Sequence, residues 1–127
     1  MYYIVETAKT VEQAAADLEQ AVKDQGFGVL YVHDLGSTLR AKGVDFAEEC
    51  QVFEVCNPHQ AAKVMAADMR LNMVLPCRIS VFSETGTTKI GLVKPVPMLM
   101  SLVDSDELTQ VAHDVEAQLI AMVDGVK

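Results

Sequence analysis

The chain has 127 residues, with 18 acidic and 10 basic side chains and a formal net charge of −8. That length suits one domain around one core, and a 50% apolar share is too large for a disordered chain. The acidity argues against nonspecific attachment to nucleic acid or anionic membranes, and aromatics at 6% without Trp offer little for base stacking.

Tyr2–Thr7 is a β-rich run and predicts a first strand. Thr10 and Gln13 stand three apart, as a capping box requires, and open a helix with Val11, Ala15, Leu18 and Val22 on its apolar side. Gly26 ends it, because glycine accepts the left-handed conformation found at helix C-termini. Phe27–His33 predicts a second strand, with Phe27, Val29, Tyr31 and His33 on one face. The next stretch, Asp34–Ala47, contains Gly36, Ser37-Thr38 and Gly43. It reads as a loop with one helical turn over Leu39–Lys42.

Gln51–Cys56 predicts a third strand. Asn57-Pro58 then starts a second helix, with Asn as N-cap, Pro in the first position and Ala61, Val64, Met65 and Met69 as the buried stripe. Cys77–Glu84 and Thr87–Val93 flank Thr85-Gly86, a hairpin signal. Asp104 and Glu107 are expected to cap a final helix, in which Leu108, Val111, Val115, Leu119 and Met122 repeat at helical spacing as far as Gly125. The order is β-α-β-β-α-β-β-α. It predicts a single α+β domain over residues 1–127, a two-layer sandwich with a mainly antiparallel five-stranded sheet and helices on one face.

Two sequence stretches stand out at element ends. Cys56-Asn57-Pro58-His59 runs from a strand into a helix N-terminus, and Leu75-Pro76-Cys77-Arg78 enters the next strand. Free N–H groups and the dipole at a helix N-terminus favour anions and lower thiol pKa values. Three readings of Cys56, Asn57, His59, Cys77 and Arg78 follow. One is a ligand site in which Arg78 forks onto a carboxylate or phosphate. A second is thiol chemistry with Cys56 as nucleophile and Cys77 resolving. A third is a soft-metal site drawing on Cys56, His59, Cys77 and a methionine. Against all three stands the plain alternative that both cysteines are small buried hydrophobes and His59 is solvated. Cys50 lies six residues before Cys56, too far along one strand to bond with it.

The apolar, proline-interrupted segment Val96–Val103 follows an element end and reads as an exposed patch. Val96, Met98, Leu99, Met100 and Leu102 are therefore the expected contacts of a homodimer or higher homo-oligomer. The acids Asp45, Glu48 and Glu49 read as a solvated face, and His113 on the last helix as exposed. No nucleotide-binding or hydrolase motif is present, and Gly26-Phe27-Gly28 lacks a third glycine and follows a helix. No cofactor is identifiable, and no complete metal set such as paired C-x₂-C motifs exists. The start of the chain carries no basic leader and turns polar by Glu6; Leu92–Val103 is too short to span a bilayer and is broken by Lys94, Pro95 and Pro97. Three cysteines cannot all pair, so reduced thiols and a cytoplasmic location are expected, with no membrane association.

Lys42-Gly43, Glu54-Val55-Cys56-Asn57-Pro58 leading to Ala61, Leu75-Pro76-Cys77-Arg78-Ile79 and the Glu84-Thr85-Gly86 hairpin occur in an order that resembles a bacterial and archaeal family, domain of unknown function 302. The resemblance spans nearly the whole chain, and Cys50 is outside its pattern. It implies a compact α+β domain that often assembles as dimers or larger oligomers, and it implies no established activity. The expectation is a cytoplasmic, oligomeric and non-catalytic module binding a small anionic or apolar ligand near the Cys-Asn-Pro and Pro-Cys-Arg elements. Thiol-dependent redox or enzyme chemistry and soft-metal binding are the alternatives.

Overall fold

The computed structural model describes residues 1–127. Strands β1 (Tyr2–Thr7), β2 (Gly28–Asp34), β3 (Cys50–Cys56), β4 (Cys77–Glu84) and β5 (Thr87–Val93) form one antiparallel sheet in the order β1-β5-β4-β3-β2. The helices are α1 (Val11–Asp24), α2 (Leu35–Ala41), α3 (Pro58–Ala67), α4 (Pro95–Met100) and α5 (Asp106–Val126), with a 3₁₀ turn over Met69–Val74. This is an α+β sandwich, with helices packed on one side of a five-stranded open sheet.

Local chemistry explains where the main elements begin and end. Thr10 and Gln13 close their capping box at 3.1 and 3.0 Å, satisfying two N–H groups that the first turn of α1 leaves unpaired. Gly26, at φ +77°, carries the chain out of α1. Thr85 and Gly86 both adopt positive φ between β4 and β5, the pattern of a two-residue turn matched to sheet twist.

The inner face of the sheet alternates as a half-buried sheet must. Tyr3 and Val5, Phe53 and Val55, Ile79 and Val81, and Ile90 and Leu92 face α1 and α5. Leu18 and Val22 of α1 and Leu119, Met122 and Val123 of α5 complete this core. Each large apolar side chain removed from water there stabilises the fold by about 1.5–3 kcal/mol. A second, smaller core joins Val64, Leu71, Leu99, Leu108 and Ala112 beneath α3 and α4.

Five expectations are corrected. Asp34–Ala47 is not a loop with a turn at Leu39–Lys42: α2 starts at Leu35, capped by Asp34, whose carboxylate accepts from the Ser37 N–H at 3.0 Å. The single-face alternation of Phe27–His33 fails, because a register shift between Val29 and Tyr31 resets the phase. Val29 and Val32 therefore meet the core, while Tyr31 stays exposed. Ser105, rather than Asp104, caps α5. Met69 does not extend the stripe of α3; the helix ends at Ala67, and Met69 and Met73 are exposed.

The fifth correction concerns Val96–Val103, which is not an exposed patch. Pro95 and Pro97 sit in the first turn of α4, where no helical N–H is needed, so the segment folds as a helix. Leu99 is buried in the second core, and Val96, Met100 and Val103 pack against it. Met98 is half-buried, and Leu102 is the large side chain of this run left exposed.

Candidate ligand-binding site

β3 and β4 lie side by side with Val55 opposite Cys77, which brings the two cysteine-bearing stretches together. Cys56 ends β3, and Asn57 caps α3 by accepting from the N–H groups of His59 (3.1 Å) and Gln60 (3.3 Å). Cys56, Asn57 and Cys77 then share an apolar cavity with Val64, Leu75 and Leu99. It is small, about 40 Å³. The Leu75–Pro76 peptide that leads into it is cis.

The remaining two predicted residues lie elsewhere. His59 is exposed on the first turn of α3 and lines neither this cavity nor the groove described below. Arg78 follows Cys77 in an extended strand, so its side chain belongs to the opposite face of the sheet. There it lines a concavity of about 450 Å³ walled by Tyr2, Ile4, Val52, Phe82 and Val93. The volume falls in the range typical of small-molecule sites. Gly91 forms part of its floor, and a Cβ there would stand 2.9 Å from Ile4 Cγ1.

The electrostatics of the two spaces differ. Arg78 enters no salt bridge. Its cross-strand neighbour Glu54 pairs instead with His33 of β2. Arg78, exposed at the edge of this apolar groove, thus keeps its donor fork free of protein partners. Around the inner cavity, burial pushes the Cys56 thiol up and drives Cys77 from 9.0 to about 11, with Cys56 adding to the latter. Both are protonated thiols at neutral pH, unlike activated nucleophiles. All three cysteines are free, and Cys50 sits at the far end of β3. No three His, Cys, Asp or Glu side chains converge, so a metal finds no such ligand set.

One polar group escaped the sequence reading. Gln60 Nε2 donates to Gln118 Oε1 at 3.1 Å, while Gln60 Oε1 is buried without a hydrogen-bond partner beside the inner cavity. Its place next to Ala61 and one turn before Val64 on α3 signals only nearness to the core, and the missing partner depends on neighbours on α5. The acids Glu48 and Glu49 also prove to be ties: Glu48 accepts from the Thr85 N–H at 3.1 Å, and Arg40 reaches Glu49. His113 is exposed, as expected. No helix is long and apolar enough to cross a membrane.

These features define a two-layer α+β domain with an apolar, arginine-bearing groove that runs along the open face of the sheet and reaches Leu92 and Leu119 of the helix side. A family model described as "Domain of unknown function DUF302" matches residues 3–126, and the chain belongs to this family. Its structure is similar to the crystal structure of an uncharacterized conserved DUF302 protein from Bacillus stearothermophilus, with a TM-score of 0.92 and 36% sequence identity. That match covers 99% of this chain and 98% of the other. A search of curated proteins finds no match.

Proposed function

We propose that this chain is a non-catalytic binding module for a small apolar anion, seated in the open-face groove with its charged group on Arg78. The observation that carries this reading is an apolar concavity of about 450 Å³ lined by Arg78, an exposed residue that enters no salt bridge. Apolar walls supply affinity, and a fork of N–H donors matches a carboxylate or phosphate. The net charge of −8 repels anions at long range, so the local cation has to do the selecting. Three unpaired thiols accord with a reducing cytoplasmic setting. Thiol chemistry has weaker support, because burial disfavours both thiolates near the inner cavity.

Calorimetric titration with decanoate and with neutral decanol tests the proposal. Decanoate should bind more tightly than decanol, and Arg78→Gln should cost decanoate about tenfold or more while leaving decanol unchanged. Equal binding of acid and alcohol, or an unaffected Arg78→Gln variant, would overturn it. Sedimentation of the same samples covers the homodimer expected from the sequence. A dimer that excludes decanoate and dissociates when Tyr2 and Ile4 are made polar would mark the groove as a subunit interface instead.

A further inference from the structure

We infer that the inner cavity is a second subsite of the open-face groove and receives a hydrogen-bond-donating tail end of the ligand, with Gln60 Oε1 as acceptor. This rests on the groove reading above and narrows its ligand to a straight-chain acid carrying a terminal hydroxyl.

The two spaces have a common wall. Val74, Pro76, Cys77, Pro95 and Met98 line both of them. Four of these are compact or ring-locked side chains. Met98 is the long unbranched one, with three rotatable bonds and a half-buried position on α4, so its rotation is the simplest way to join the spaces. The backbone of α4 need not move, because Pro95 and Leu99 hold it in place from the buried side.

Gln60 supplies the chemical preference. It carries the one buried side-chain oxygen or nitrogen in the protein that lacks a hydrogen-bond partner. Buried acceptors are nearly always satisfied, so this one marks where a donor belongs. Water is the competing candidate. The cavity has room for about three water molecules, yet a buried water is held by two to four polar groups. Asn57 is the other side-chain amide in the lining, and its Oδ1 already accepts from His59 and Gln60. A water there would find Gln60 Oε1, the Asn57 amide N–H groups and two weakly bonding thiols, on walls that are otherwise apolar. A hydroxyl tethered to an apolar chain needs no more than that single acceptor, because its chain is held by the apolar walls.

The test compares ω-hydroxyoctanoate, ω-hydroxydecanoate and ω-hydroxydodecanoate with the corresponding plain acids by calorimetry. On wild-type protein, at least one hydroxy acid should bind several-fold more tightly than its plain counterpart, despite its better solubility in water. Gln60→Met should reverse that preference, while the plain acids keep their dependence on Arg78. A second readout needs no variant: the Gln60 side-chain amide resonances in NMR should shift with the preferred hydroxy acid and not with its plain counterpart. If plain acids bind through Arg78 but every hydroxy acid is weaker and the Gln60 amide is silent, this inference falls and the groove reading stands. If no acid binds in an Arg78-dependent way, both fall.

Discussion

Arg78 and Glu54 face one another across the β3–β4 ladder, yet the Glu54 carboxylate is engaged by His33 from the strand on its other side. That diversion leaves Arg78 free for an anion. Removing the diversion should therefore act on binding without touching the groove wall. In His33→Phe, Glu54 is released to neutralise Arg78, and decanoate affinity should fall several-fold. Glu54→Gln removes the competing charge, and affinity should hold or rise. Titration of both variants checks this; equal losses in the two would mean that His33 and Glu54 support the fold rather than tune Arg78.

Leu99 separates a core residue from an interface residue. It was expected to contact a second subunit, but it fills the space between Val64, Leu71, Leu108 and Ala112. Leu99→Ala should lower unfolding free energy by about 2–5 kcal/mol, the usual range for a leucine truncated in a core. The loss should be the same at low and high protein concentration in urea denaturation. A loss that grows on dilution would return Leu99 to a subunit contact.

The elements legible in the sequence are those whose caps and periodicity act locally. Thr10 with Gln13, Asn57-Pro58 and Thr85-Gly86 each stop or start an element through bonds within a few residues, and the structure places all three as read. The misreadings arise where distant contacts decide. Gly36 looks like a loop residue, but it lies inside α2 because Arg40 and the Glu48 carbonyl press on it; a Cβ would stand 3.1 Å from that oxygen. The shift between Val29 and Tyr31 belongs to the pairing with β3 and leaves no trace in composition. The candidate site was half legible. Cys56 and Cys77 could be brought together from strand ends, and the opposite facing of Cys77 and Arg78 follows from a period of two. The orphaned oxygen of Gln60 required the neighbours on α5, which spacing along α3 cannot reveal.

Gly91 tests how closely β1 lies over the floor of the groove. An added methyl would meet Ile4 Cγ1 at 2.9 Å and the Tyr3 carbonyl at 3.2 Å. Ile4 can rotate away, whereas the carbonyl is fixed by the β1–β5 pairing. Gly91→Ala should cost about 1–3 kcal/mol by chemical denaturation, in the range of other overpacked sites. Combining it with Ile4→Ala should cost less than the sum of the two single changes, because one of the two clashes is gone. Strict additivity would show that the carbonyl alone sets the penalty.

Cys77 makes the stability of the protein depend on pH on the alkaline side. Its thiol is raised from 9.0 to about 11, chiefly by burial and secondarily by Cys56. The unfolded chain therefore releases this proton at lower pH than the folded one. Between these values the folded state holds more protons, so unfolding becomes easier as pH rises. The contribution is fully present below pH 9 and is lost as pH climbs through about 11. Two pH units correspond to about 3 kcal/mol at most. The measurement is a difference between two proteins, which cancels the contribution of every other group: wild type should lose stability more steeply than Cys77→Ala from pH 9 upward. At pH 8 the same burial should make Cys77 alkylate far more slowly than a free thiol until the protein unfolds. Fast alkylation of folded protein at Cys77 would restore the thiol-chemistry reading, because it would require a reactive thiolate where the structure holds a largely buried, protonated thiol.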